Sequence, residues 1–274
     1  MRIIPKIDVK GPNLVKGIHL EGLRVLGDPK EFISNYYLDG ADEIIFHDIV
    51  ASLYKRNNLS ELISSSLRDI FIPLSAGGGV RNEKDVRKLL LDGADRVFIN
   101  SAIIDNFNIL KKLVKIFGSS TIISSIEVLK YEDEFYCFKD FGRENSGIKL
   151  KDWFKKIQKC QPGEILLTSI DYDGTHKGFD IKLVEFAEKF LEIPYMINGG
   201  YYDTSHLTTL LSAGKPSGIV ISTALHYNAL NNIKTKFNKK EGNYEFLNSK
   251  AEVKYKNKSK NLIKEIKKII DKYA

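Results

Sequence analysis

Ile72-Pro73-Leu74-Ser75-Ala76-Gly77-Gly78-Gly79-Val80-Arg81 reads as a short buried strand that runs into three glycines and then a helix. The strand is expected over Ile72–Ser75 and the helix over Asn82–Leu91, with Glu83 and Asp85 where carboxylates suit the positive helix end. Glycine permits positive φ and lets a ligand approach the backbone. Free N–H groups at the helix start would favour a phosphate. One such turn is a weak signal, since turns without ligands are commoner, so its weight depends on whether it recurs.

It does recur. Ile193-Pro194-Tyr195-Met196-Ile197-Asn198-Gly199-Gly200 repeats the pattern, with Pro194 lying 121 positions beyond Pro73. Gly40-Ala41-Asp42-Glu43-Ile44-Ile45-Phe46 is echoed by Pro162-Gly163-Glu164-Ile165-Leu166-Leu167 at the same offset, and Val97–Ser101 by Ile219–Thr223 at about that offset. Several matches at one offset imply a duplicated half-domain, with a period far longer than a solenoid unit.

The chain has 274 residues and is 43% hydrophobic, enough for one large α/β barrel. No apolar run is long enough to span a membrane, and the N-terminus has no signal-peptide architecture. Cys137 and Cys160 are too few for a disulfide framework or a zinc site, so a cytoplasmic protein is expected. The net charge of +7 is local: residues 228–274 hold 13 Lys against 5 acidic residues. The body is near neutral, and without an aromatic-interleaved basic module no nucleic-acid partner is expected.

Read in order, the expected strands are Ile3–Val9, Ile44–Ile49, Ile72–Ser75, Arg96–Asn100, Thr121–Val128, Glu164–Ser169, Tyr195–Ile197 and Gly218–Ser222. A long loop is expected from Lys10 to Gly27, and a hairpin or lid over 131–147. Asp28-Pro29 opens a helix. Leu262, Ile263, Ile266, Ile269, Ile270 and Tyr273 form one stripe on a last helix, core against the barrel. Eight strands alternating with helices argue a single (β/α)8 TIM barrel of two half-barrels, about 1–120 and 121–274. A Lys-rich insertion at about 228–258 would precede the last helix.

Active sites of such barrels lie at the C-terminal strand ends. Asp8 and Glu127 sit there on strands one and five, which face each other across the ring. Two opposed carboxylates can serve as acid and base; they can also cap loops or form ion pairs. His47 ends strand two, inside the mouth, where it could touch substrate, although a satisfied core or rim histidine is the commoner case. His19, His176, His206 and His226 have no metal-ligand spacing, and no metal or cofactor is expected. Gly77-Gly78-Gly79 is not a dinucleotide fingerprint.

Asp8-Val9-Lys10, Val15-Lys16-Gly17, Gly27-Asp28-Pro29, Gly40-Ala41-Asp42-Glu43, Ala76–Arg81, Gly93-Ala94-Asp95, Ile99–Ala102, Gly163–Asp171 and Asp173-Gly174-Thr175 together resemble the cyclase subunit of imidazole glycerol phosphate synthase, over residues 1–227. The resemblance implies a lyase/cyclase of histidine biosynthesis. It would close an imidazole ring with ammonia on a bis-phosphorylated ribulosyl aminoimidazole carboxamide ribonucleotide. Asp8 matches the general base and Glu127 the general acid. Gly79, Asn100 and Ser101 would serve one phosphate. Asp173, Gly174, Thr175, Gly199, Gly200, Ser222 and Thr223 would serve the other end, and Lys16 would lie in a loop that closes over the substrate. Ammonia would come from a glutaminase partner at the N-terminal face, through a gate of Arg2, Glu43, Arg96 and Glu164.

At the gate Arg96 stands for a lysine. The other departures cluster at the substrate end: Glu127 stands for an aspartate, Lys6 for a small residue and Tyr201-Tyr202 for small residues beside a phosphate, and the Lys-rich insertion follows strand eight. They leave open a paralogue that channels ammonia to amidinate a sugar of surface polysaccharide, and a non-catalytic docking scaffold.

Overall fold

In the computed structural model, which describes residues 1–51, 59–66, 69–233 and 259–273, eight parallel strands close on themselves. They are β1 (Arg2–Lys10), β4 (Ile44–Asp48), β5 (Leu74–Gly77), β6 (Arg96–Ile99), β7 (Ile122–Tyr131), β10 (Glu164–Ser169), β11 (Tyr195–Asn198) and β12 (Gly218–Ile221). The ring is shut by β10 pairing with β7 and β12 with β1. Helices lie outside it, among them Pro29–Leu38, Glu83–Leu91, Asn108–Phe117, Leu150–Gln158, Ile181–Phe190, Ser205–Ala213 and Leu262–Tyr273. Residues 234–258, most of the Lys-rich insertion, lie outside the described residues.

Side chains alternate across a strand, so every second residue of each strand enters the barrel. One interior layer is Ile4, Ile45, Phe98, Ile123, Leu166, Met196 and Val220, all buried. The intervening residues, such as Ile3, Ile7, Ile44, Val97, Ile122 and Ile165, join the larger core beneath the helices.

Three sequence expectations are corrected. The stretch Lys10–Gly27 is not a loop but a β-hairpin, β2 (Asn13–Ile18) and β3 (Glu21–Gly27), continuing from β1. The third barrel strand is Leu74–Gly77 rather than Ile72–Ser75: Phe71 is 82% exposed and Ile72 only half-buried, so the apolar run begins outside the sheet. Tyr273 is 61% exposed and leaves the core stripe, in which Leu262, Ile263, Ile266 and Ile270 are buried. The hairpin expected near 131–147 is β8 (Glu134–Lys139) and β9 (Glu144–Lys149), extending β7.

The deciding glycines earn their places sterically. Gly78 has φ +105, and a Cβ there would lie 2.1 Å from the Asp48 carbonyl oxygen. Gly200 has φ +90, and its Cβ would lie 1.7 Å from the Gly178 carbonyl oxygen. Gly78→Ala should therefore cost at least about 2 kcal/mol, from left-handed strain plus backbone displacement. Urea unfolding measures it; a cost under about 0.5 kcal/mol would mean the turn relaxes freely.

Candidate active site

Lys6 and Asp8 are two apart on β1, so both side chains enter the barrel at its C-terminal end. His47 pairs in register with Asp8 from β4. Glu127 enters from β7, on the opposite side of the ring. These groups are buried apart from the partly exposed His47.

Lys6 Nζ lies 2.7 Å from Asp8 Oδ1, and His47 Nδ1 lies 3.4 Å from the same oxygen. Lys16 Nζ is 3.9 Å from Asp8 Oδ2 but donates to both oxygens of Asp173, at 2.9 and 2.7 Å. Burial alone would raise the Asp8 carboxyl; Lys6, His47 and Lys16 outweigh it and hold the pKa well below the usual carboxylate range. Burial opposes the charge of Lys16, but Asp173 and Asp8 overcome it and raise its pKa. The His47 imidazole is pushed down by burial. Glu127 goes the other way: burial lifts its pKa to about 7, against the lowering effects of the Gly142 N–H and Lys6. The two opposed carboxylates therefore differ in protonation near neutral pH, the arrangement that separates an acid from a base.

The two hairpins cover this mouth. Val15 and Leu20 of the first pack with Ile49, Val50 and Ile170 and with Phe138 and Phe141 of the second. The His19 N–H donates to the Asp173 carbonyl at 2.9 Å, pinning the first tip across the barrel. Phe141 stands edge-on to His47, and the Gly142 N–H donates to Glu127 Oε2 at 2.8 Å.

A cavity of about 390 Å³ opens beside Glu127, lined by Gly79, Asn100, Ser101, His47 and Phe141 among others. The helix start expected to offer free N–H groups does not. Asn82 accepts from the N–H groups of Lys84 and Asp85, and Asp85 accepts from those of Arg81 and Asn82. Asn100 instead leads into the Ser101–Asp105 turn without a side-chain cap, and Ser222 leads into Thr223–Ala229 in the same way. Asp173, Gly174, Gly199, Gly200, Ser222 and Thr223 line a second, narrow cleft. A further cavity of about 350 Å³ adjoins Lys16, Gly174, His176 and Thr223. Thr175 lines neither and donates its hydroxyl to the Tyr172 carbonyl at 2.9 Å. Tyr201 is buried against Phe179 and Tyr202 stacks on His176.

At the opposite end Arg2, Glu43, Arg96 and Glu164 form a closed ion-pair ring. Arg2 bridges both glutamates, and Arg96 lies 2.7 Å from Glu164 and 3.5 Å from Glu43. Among the described residues no group could hold a metal ion, and no helix is long and apolar enough to cross a membrane.

The geometry has its counterpart in comparisons with known proteins. The family model described as "Histidine biosynthesis protein" matches residues 2–231. The chain belongs to this family. It is 46% identical to the imidazole glycerol phosphate synthase subunit HisF of Legionella pneumophila, over 73% of this chain and 95% of that one. It is 37% identical to HisF of Natranaerobius thermophilus, over 82% and 90%. To HisF of Methanocaldococcus jannaschii it is 36% identical, over 82% and 90%.

Two contacts escaped the sequence reading. The sequence places His47 inside the mouth, but only the β1–β4 register brings it level with Asp8. Gly142 gave no signal, because its contribution is a backbone N–H. Lys6 could have been found, since its spacing of two from Asp8 puts both on one face.

Glu127 carries a testable linkage. Its folded pKa of about 7 exceeds the ordinary 4.5, so the native state holds a proton that the unfolded state releases between those values. Stability from this group is present below pH 4.5 and is lost as pH rises to about 7, by about 3 kcal/mol in all. Glu127→Gln should remove that slope in urea unfolding at pH 5 and pH 8. An unchanged slope would mean Glu127 titrates normally.

Proposed function

We propose that the protein is the ammonia-dependent cyclase/lyase of imidazole glycerol phosphate synthesis. It converts the bis-phosphorylated ribulosyl aminoimidazole carboxamide ribonucleotide to imidazole glycerol phosphate and aminoimidazole carboxamide ribotide. The observation that carries this reading is the pair of opposed buried carboxylates, one held ionised and one held near neutrality. Asp8 takes a proton from the substrate as ammonia adds at the ribulosyl carbonyl, the carbonyl oxygen leaves as water and the ring forms. Glu127 gives a proton to the departing group. General acid–base help of this kind contributes about 100- to 10,000-fold.

The two phosphates occupy the two strand-to-helix turns, one at Gly79, Asn100 and Ser101 and the other at Gly174, Gly199, Gly200, Ser222 and Thr223. The support is that Asn100 (φ −121, ψ −86) and Ser222 (φ −119, ψ −74), each leading from a barrel strand into a short helix, have closely similar backbone angles. The same match supports two half-barrels divided near residue 120. Thr175 stiffens its own turn rather than touching the ligand. Lys16 and the first hairpin close over the substrate.

The Arg2–Glu43–Arg96–Glu164 ring is the entrance for ammonia delivered by a glutaminase partner at the N-terminal face, in the cytoplasm. No resident metal or cofactor takes part. The sugar-amidinating and scaffold alternatives gain no support from the relatives, which carry the histidine-pathway name.

The purified protein should turn over the bis-phosphate substrate with ammonium salt at alkaline pH, without a partner. Asp8→Asn should lower turnover by at least about 100-fold while leaving the fold intact by circular dichroism. Full activity of that variant would remove Asp8 as the base.

A further inference from the structure

Lys6 is the departure at the catalytic centre whose role the geometry discloses. It stands on the same strand and the same face as Asp8, with its ammonium 2.7 Å from Oδ1 and both side chains almost wholly out of solvent. Lys16 is 3.9 Å from Oδ2 and gives its donors to Asp173. Of the two lysines facing the base, Lys6 is therefore the one in contact with it. A buried ammonium is stable only when paired, and a buried carboxylate likewise. The Phe141 ring lies 5.6 Å from Lys6 Nζ, so the second hairpin backs the pair and limits its movement.

We propose that Lys6 is a positioning residue for the base: it occupies Asp8 Oδ1, leaves Oδ2 as the oxygen that accepts the substrate proton, and sets the proton affinity of the carboxylate. The inference rests on the cyclase reading for its kinetic consequence, but not for the ion pair itself. The step balances simply. The proton passes from substrate to Oδ2, its electron pair stays on the substrate, and the Lys6 ammonium keeps its three protons.

The other charged or titratable groups around Asp8 are Lys16 from β2, His47 from β4, Glu127 from β7 and His226 from the helix Thr223–Ala229. Asp173 acts on Asp8 through Lys16. His47 and His226 are both pushed down by burial. Lys16 is shared with Asp173. Lys6 is thus the full positive charge whose salt bridge, among the described residues, is made to Asp8 alone, and its removal should be felt most directly by that carboxyl.

The sign follows. A cation within about 4–6 Å lowers a carboxyl pKa by roughly 1–3 units, so removing it raises that pKa. The base must be ionised to act. In Lys6→Met the Asp8 carboxyl should therefore titrate at a pH higher by at least about one unit, while Lys6→Arg keeps it low. A residue that only fills space would lower stability without moving that titration.

The experiment is a carbon-13 NMR titration of the Asp8 carboxyl in wild type, Lys6→Met and Lys6→Arg, assigned with Asp8→Asn. The expected result is a wild-type signal that stays ionised below the ordinary aspartate range, a Lys6→Met signal that titrates at least about one unit higher, and a Lys6→Arg signal that stays low. An Asp8 signal unmoved in folded Lys6→Met overturns the proposal, as does a wild-type signal that titrates near pH 4. If Lys6→Met does not fold, Lys6→Gln takes its place in the same titration. The titration needs no turnover, so the absence of product from wild type with ammonium salt would sink the cyclase reading and leave the Lys6 assignment to be decided by it.

Discussion

The closure of a parallel eight-strand ring is the constraint from which the rest of the molecule follows. Each strand must send alternate residues into one narrow space, and that space must be filled or its charges paired. The chain meets this in layers. A ring of arginine and glutamate shuts the N-terminal end, seven apolar side chains fill the middle, and the ionisable cluster of Lys6, Asp8, His47 and Glu127 occupies the C-terminal end. The apolar layer excludes water from beneath the cluster, and the hairpins narrow the opening above it.

That exclusion makes the chemistry possible. In water two carboxylates would titrate almost together. Here each answers to its own neighbours. Asp8 meets Lys6 at 2.7 Å and is held ionised despite burial, while Glu127 meets mainly apolar surroundings and one backbone N–H. The same low-dielectric space strengthens Coulomb interactions, so one lysine placed two residues from Asp8 has leverage that it would lack at a surface. The hairpins belong to this device rather than to decoration. Phe141 borders both Lys6 and His47, and the next residue holds Glu127.

Much of the fold was legible because it rests on local and periodic signals. The eight short apolar runs, the Asp28-Pro29 helix start and the repeated glycine turns all mark positions where backbone geometry leaves few options. Where the reading slipped, a tertiary contact had overridden a local signal. Phe71 and Ile72 are apolar yet precede the sheet. Lys10–Gly27, rich in glycine, pairs as a hairpin because its apolar Val15 and Leu20 find a cover across the barrel mouth. The helix at Glu83 ties up N–H groups of its first turn through Asn82 and Asp85, a capping box that the glycine pattern before it did not announce.

By itself the sequence determined the alternation of strands and helices, the glycines that permit positive φ, and the placement of Asp8 and Glu127 at matching strand ends. These depend on spacing along the chain, which sequence records directly. Only the tertiary structure decided which lysine holds Asp8, that His47 stands level with it, that Gly142 donates to Glu127, and that the carboxylates diverge in proton affinity. Those depend on interstrand register, on burial and on distances between residues far apart in the chain. Electrostatic free energy varies steeply with both distance and dielectric, and neither is written in a spacing pattern.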